Sequence, residues 1–329
     1  MLMRSKRNER GATLILVALS LAASLSVVGV VVDGGSAFAE RRQMQNSADA
    51  AALSATRAFD RLVTGQESSV WTAAQTTAVA NGANTATVTC TFVDEILVEV
   101  GSCPTTNNGT ALAIKAAAAG VRVTTTRSRS TAFIRVAGIK SFTAGGRATA
   151  QVQGLRSGNS PFVLCATGNS DPRSLGEGQI VPIILPDNSM NPAAVGVSYE
   201  LQDPSTVGCG QTNNFKGLSE NADASYPTPG AWDLKNGDLG INVGKAIIAG
   251  NKACSEFVNG CVMAVPLCHA ADPPQQGVLY CERFGAFELF DTDTSSRIGG
   301  ILRDGVVATG GLGGGKPLAG EVRVIKLSE

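Results

Sequence analysis

The sequence predicts an α+β protein: an N-terminal transmembrane helix extended into a long exposed helix, then a small α+β unit, then an irregular, disulfide-braced β-rich domain. Three observations carry this reading. Residues Ala12 to Val32 form an uncharged run, ATLILVALSLAASLSVVGVVV. Beyond it, apolar and small residues recur at helical spacing as far as Leu62. The remainder alternates short apolar segments with Gly, Pro, Asn and Asp, and it holds all eight cysteines.

The apolar run is long enough to cross a bilayer as one helix, which takes about 20 residues. Arg4, Lys6, Arg7 and Arg10 precede it against Glu9 alone, and the first charge after it is Asp33. The positive-inside rule then keeps the N-terminus in the cytoplasm. The expected location is the cytoplasmic membrane, single-pass, with the bulk of the chain exocytoplasmic. The rest of the composition fits export. Lys plus Arg equal Asp plus Glu at 27 each, so no basic surface argues for a nucleic-acid partner. Ala37-Phe38-Ala39 offers a competing reading, cleavage of a signal peptide after Ala39. The length of the run favours an anchor, because a signal's apolar region spans only about 7–15 residues.

The segment after the run is helical by its period. Met44, Ala48, Ala51, Ala55, Phe59 and Leu62 lie three or four residues apart, which is one helix face. Gly34-Gly35 is the weak joint between the two halves. A rod from Ala12 to Leu62 would be about 75 Å long at 1.5 Å per residue. The face made by Ala48, Ala51, Ala52 and Ala55 has small side chains, which let helices approach closely. It has two possible occupants: a sister rod or the chain's own domain.

Three pieces of this region are similar to a known family. They are Arg10-Gly11 leading into the run, the exit through Val32-Asp33-Gly34, and the string from Arg41 to Leu53. Its most specific part is Gln45-Asn46-x-Ala48-Asp49-Ala50-Ala51-Ala52-Leu53. Together they resemble the N-terminal module of the TadE/TadG-like proteins of Tad (Flp) pilus assembly. The likeness covers about residues 8 to 60, and more loosely the segment to about 153. It implies a non-enzymatic, membrane-anchored accessory protein of pilus assembly or cell adhesion, without a cofactor. Its implied partners are the lipid bilayer, pilus or secretion-machinery proteins, and a second copy through the N-terminal helix. Ala48, Asp49, Ala51, Ala52 and Ala55 are the candidate helix-interface residues. Two departures bound the likeness. Where type IV prepilins carry Glu five residues after the cleaved Gly, this chain has Leu16 after Gly11. The Asp-x-Ser-x-Ser metal string of larger TadG-like proteins does not occur.

The chain divides by texture into residues 1–62 (anchor and extended helix), 63–157 (small α+β unit) and 158–329 (β-rich domain). In the middle part, residues 70 to 81 read as a helix ending near Asn81-Gly82. Thr85 to Val93 and Ile96 to Val100 read as strands. Leu112 to Ala119 reads as a short helix, with strand as the alternative. Val121 to Arg127 alternates as a half-exposed strand. Thr131 to Ile139 reads as a short helix with Phe133, Val136 and Ala137 on one side, and Phe142 to Val152 as a strand. In the last part, short apolar runs separated by turn signals indicate strands: Phe162–Ala166, Ile180–Leu185, Val195–Leu201, Ile241–Ile248, Val262–Leu267, Val278–Cys281, Ala286–Phe290, Gly299–Leu302 and Val322–Leu327.

Cys90, Cys103, Cys165, Cys209, Cys254, Cys261, Cys268 and Cys281 all lie beyond the run. An even count in an oxidising compartment indicates disulfides. Neighbour pairing would join Cys90 to Cys103 and Cys165 to Cys209, with two bridges among the last four. A zinc site is disfavoured, since no C-x-x-C pair exists and His269 is the sole histidine.

Three local patterns suggest chemistry, and each lacks a part that the chemistry needs. Cys268-His269 places a base beside a thiol, but a nucleophile needs a base that reaches it through the fold. Gly310 to Lys316 spells G-x-x-x-x-G-K, yet Pro317 stands where a phosphate loop needs Ser or Thr. It reads as a Gly-rich turn before the last strand. Asp291, Asp293 and Ser295 give alternate oxygen ligands without the Gly and Glu of a calcium loop. No G-x-S-x-G elbow is present. Two other classes of function stay open at this level. One is a secreted binding protein released after Ala39. The other is an exported hydrolase whose carboxylate pair has no local signature.

Overall fold

Residues Glu9–Asp60 form one unbroken helix of 52 residues, α1. It is about 78 Å long at 1.5 Å per residue. The segment contains no proline, and Ala, Leu, Ser and Val dominate it. The joint expected at Gly34-Gly35 is absent, and the helix runs straight through both glycines. Arg57 lies in the last turn, where a cation complements the helix dipole. The computed structural model describes residues 9–107, 109, 111–158, 162–165, 183, 191–202, 215–217, 226–227, 230–233, 261–270, 278–290, 297–305, 307–308 and 313–328.

The fold is α+β, with a long N-terminal helix followed by mixed helices and antiparallel sheets. It divides into two compact units. The first comprises Met1–Ala150 with Leu327–Glu329, and the second Gln151–Lys326.

In the first unit, α1 is followed by α2 (Ser68–Ala80), which buries Val70, Ala74 and Ala78 at steps of four. Gly82, at φ +94°, reverses the chain after it, a conformation that needs glycine. Strands β1 (Thr89–Val93) and β2 (Glu99–Ser102) follow, then helix α3 (Ala111–Ala117) and strands β3 (Gly120–Ser130) and β4 (Ser141–Leu155). The strand order is β2-β1-β3-β4. β1 is antiparallel to both β2 and β3, with Cys90 opposite Val123 and Phe92 opposite Val121.

Three expected elements are shorter than their apolar patterns. Thr85–Thr87 is a 3-10 turn, because the Asn84 side chain accepts a hydrogen bond from the Ala86 amide. The strand begins only at Thr89. Asp94 accepts hydrogen bonds from the amides of Ile96 and Val98, so this apolar stretch is a turn and β2 starts at Glu99. Within Thr131–Ile139, only Ile134–Ala137 is helical, as one 3-10 turn closed by Gly138 at φ +89°. The helix reading holds for Leu112–Ala119, as α3.

In the second unit, the strands are β5 (Ser157–Gly158), β6 (Phe162–Cys165), β7 (Ser198–Gln202), β8 (Phe215–Gly217), β9 (Tyr226–Pro227), β10 (Gly230–Asp233), β11 (Cys261–Ala270), β12 (Val278–Phe290), β13 (Arg297–Arg303), β14 (Val307–Ala308), β15 (Gly313–Gly314) and β16 (Arg323–Leu327). The main sheet has the order β7-β13-β12-β11-β6-β8, with β10 also on β12. Its pairs are antiparallel except β6 with β11. Val278–Cys281 and Ala286–Phe290, two runs in the sequence, are one continuous strand. Glu282 to Gly285 separate them, and a Cβ at Gly285 would lie 3.2 Å from methyl carbons of both Leu267 and Leu302. Tyr199, Leu164, Val265, Leu267, Phe284, Phe287 and Leu302 fill the core. The Gly310–Lys316 string is partly strand, since Gly313 and Gly314 pair with Leu155 and Gly154. The runs Ile180–Leu185 (Ile183 apart) and Ile241–Ile248, and the acidic turn at 291–295, lie outside the described residues.

Candidate functional site

The sequence of α1 changes character along its length, and its surroundings change with it. From Thr13 to Val28 every described side chain is exposed, although most are apolar. From Gly29 onward one stripe is buried: Gly29, Asp33, Glu40, Met44, Ser47, Ala48, Ala51, Ala52, Ala55, Thr56 and Phe59. The steps are mostly three or four residues, so the stripe is a single helix face. The first unit's own elements cover it.

At the bottom of the stripe, Gly29 admits Phe133, and a Cβ on Gly29 would lie 2.6 Å from the Phe133 Cβ. One turn higher, the Asp33 carboxylate accepts three backbone N–H bonds. They come from Ala132 (2.9 Å), Phe133 (2.8 Å) and Ile134 (2.6 Å). The Ile134 amide above all, helped by those of Ala132 and Phe133, holds the Asp33 carboxyl below its ordinary pKa against the opposing effect of desolvation. Two turns higher, buried Glu40 pairs with Arg127 Nε at 3.3 Å and Arg129 Nε at 2.9 Å, both from β3.

The middle of the stripe is a backbone contact. The Thr125 hydroxyl donates to the Met44 carbonyl at 2.9 Å, and a Cβ on Gly146 would lie 2.3 Å from that same oxygen. Gln45 Nε2 donates to the Arg147 carbonyl at 2.9 Å and to Asp49 Oδ1 at 2.8 Å. The Ser47 hydroxyl donates to the Ala78 carbonyl of α2. At the top, Thr56 donates to the Ala150 carbonyl, and the Phe59 ring meets Phe92 at 5.6 Å between centroids.

The structure therefore gives the Ala face an occupant. Ala48, Ala51, Ala52 and Ala55 have no exposed surface and lie inside the first unit. Asp49 stands at the margin, half-buried, on Gln45. A sister helix finds this face already filled. Sequence reasoning passed over Gly29, Asp33, Glu40 and Gly146. The signal for the two acids was available: they lie eleven and four residues before Met44, in phase with the apolar face.

The cysteines brace both units. Cys90 pairs with Cys103 in the first, and Cys268 with Cys281 across β11 and β12 in the second. Among the described residues no cysteine is free. Cys268 is therefore not a thiol, and the Cys268-His269 nucleophile reading is removed. Cys209 and Cys254 lie outside the described residues.

The second unit has a separate polar centre. Glu321, fully buried, meets Arg156 at 3.2 Å and Arg283 at 3.6 Å and accepts from the Leu318 amide at 2.9 Å. Burial pushes its carboxyl up, against the pull of that amide and of Arg156, Arg283 and Arg323. Gly154 leaves the room, since a Cβ there would lie 2.4 Å from Glu321 Oε1. Arg323 is held in turn by Asp304 at 2.6 Å. All the pairs are internal, so this is a structural hub that fixes the 318–322 segment.

The long helix is also the part of the chain with a known counterpart. Residues 11–58 match the Tad family model, described as "Putative Flp pilus-assembly TadE/G-like". This Tad segment opens at the start of the apolar run and closes two residues before α1 ends. It thus contains both the exposed apolar half and the buried stripe through Thr56. The helix is apolar enough over its first half to cross a membrane. Together the Tad match and the helix fit a membrane-anchored protein of pilus assembly. No curated protein and no solved structure matches the chain.

Proposed function

We propose that this chain is a non-enzymatic, membrane-anchored accessory protein of Tad-type pilus assembly, which displays an exocytoplasmic body to pilin or secretion-machinery proteins. The observation that carries the proposal is the continuity of α1. One helix leaves its apolar half bare and gives its other half to a folded unit. A helix whose described side chains from Thr13 to Val28 are all exposed and mostly apolar is not a soluble element, because that surface needs lipid or another apolar partner. The stripe beyond Gly29 makes the anchor and the first unit mechanically one piece. Residues 12–32 lie in the bilayer, with the cationic segment that precedes them in the cytoplasm. Self-association by the helix falls to the bare half, because the Ala face is occupied.

A test is to replace residues 1–39 by a cleavable signal that exports the body as a soluble protein. Pilus output in the host should fall to the level of the deletion strain, although the body accumulates. Full output from the released body would contradict the proposal. It would favour the secreted binding protein instead.

A further inference from the structure

We infer that the 131–140 loop of the first unit sits in the interfacial layer of the bilayer and binds anionic phospholipid headgroups beside the exit of α1. The inference rests on the membrane-spanning reading of α1 and adds a second, peripheral membrane contact to it. The depth of the loop is fixed by its attachment. Phe133 packs on Gly29, which lies inside the apolar run, and the Asp33 carboxylate clamps the amides of residues 132–134 just above. The exposed stretch of helix below that contact, from Thr13 to Val28, is about 24 Å long at 1.5 Å per residue. The hydrocarbon core is about 30 Å thick. A helix that crosses it fully therefore draws Phe133 down to the boundary between acyl chains and headgroups.

The side chains of the loop suit that depth. Phe133 is 45 % and Ile139 52 % exposed. Exposed Phe and aliphatic side chains form the apolar face of segments that lie in the interface. The exposed charges on the loop are basic, Arg135 and Lys140. The nearby acids are engaged, Asp33 by three amides and Glu40 by Arg127 and Arg129. On the outer leaflet the cytoplasmic surface potential does not act, so recognition rests on direct pairing of these cations with anionic headgroups beside an apolar tip, the pattern of an interfacial segment.

The full chain is reconstituted in phosphatidylcholine/phosphatidylglycerol vesicles as two variants, Ile139→Trp and Leu19→Trp. Both sites are exposed, so neither replacement enters a core. Fluorescence beyond that of the parent, which carries Trp71 and Trp232, is quenched with lipids brominated at shallow or deep acyl positions. The added signal of Ile139→Trp should be lost chiefly to the shallow quencher, and that of Leu19→Trp chiefly to the deep one. Brominated phosphatidylglycerol should quench Ile139→Trp better than the phosphatidylcholine analogue. Adding Arg135→Gln and Lys140→Gln should abolish that preference, each cation contributing about fivefold. Quenching at Leu19 but not at position 139 overturns the inference and leaves the anchor standing. So does shallow quenching with no preference between the two lipids, as far as headgroup binding goes. Quenching at neither site overturns the anchor itself.

Discussion

A side chain on Gly146 would put its Cβ 2.3 Å from the carbonyl oxygen of Met44, so β4 rests directly on the backbone of α1. The adjoining Thr125 hydroxyl donates to that same oxygen. Gly146→Ala forces helix and sheet apart at the centre of the stripe. It should cost about 1–3 kcal/mol, the range for overpacking. Denaturant unfolding of the detergent-solubilised chain measures this, and an unchanged midpoint would show that the contact yields freely.

The alanines above that contact make the same argument with side chains. Ala48→Leu or Ala52→Leu adds bulk to a fully buried position facing the first unit's interior. Each should destabilise the unit by about 1–3 kcal/mol. Wild-type stability combined with lost crosslinking to another copy would instead make the face an intermolecular interface.

The clamp at Asp33 gives a pH dependence of known sign. Its carboxyl is held low mainly by the Ile134 amide. The contribution is therefore present in full above the ordinary carboxylate pKa, about 3.9, and is lost as pH falls through the lower folded value. Asp33→Asn should remove it at all pH values. Hydrogen exchange at the amides of residues 132–134 should quicken in the variant at pH 7, and in the parent only on acidification. Equal protection in both proteins at neutral pH would dismiss the clamp.

The Cys90–Cys103 bridge closes a short loop, with the two cysteines 13 residues apart. Replacing both with Ala should cost about 3 kcal/mol by loss of the constraint on the unfolded chain. Thiol labelling of the native parent should find neither cysteine. Labelling at Cys90 or Cys103 without denaturant would contradict the bridge.

What the sequence disclosed and what it hid divide along sequence distance. The period of Met44, Ala48, Ala51, Ala55 and Phe59 was legible because an α-helix repeats locally, and every one of these residues is buried. Among the described residues, the strand runs around Phe162–Cys165, Val262–Leu267, Ala286–Phe290, Gly299–Leu302 and Arg323–Leu327 were legible for the same reason. Asp33 shares the helix phase, but its partners were hidden, because they lie 99 to 101 residues away. Gly146 reads as an ordinary strand glycine until Met44 is set against it. Glu321 looks like a surface acid near the end of the chain. Only the fold brings Arg156 and Arg283 to it. The apolar stretch Ile96–Val100 misled, since the Asp94 side chain takes the amides that a strand would have spent on a neighbour.

The account depends on α1 remaining one uncut helix from lipid to body. Intact-mass and N-terminal analysis of the chain recovered from host membranes tests this directly. It should show the Ala12–Ala39 segment retained, with the protein resistant to alkaline extraction. A mature product beginning at Glu40 in the soluble fraction would contradict it.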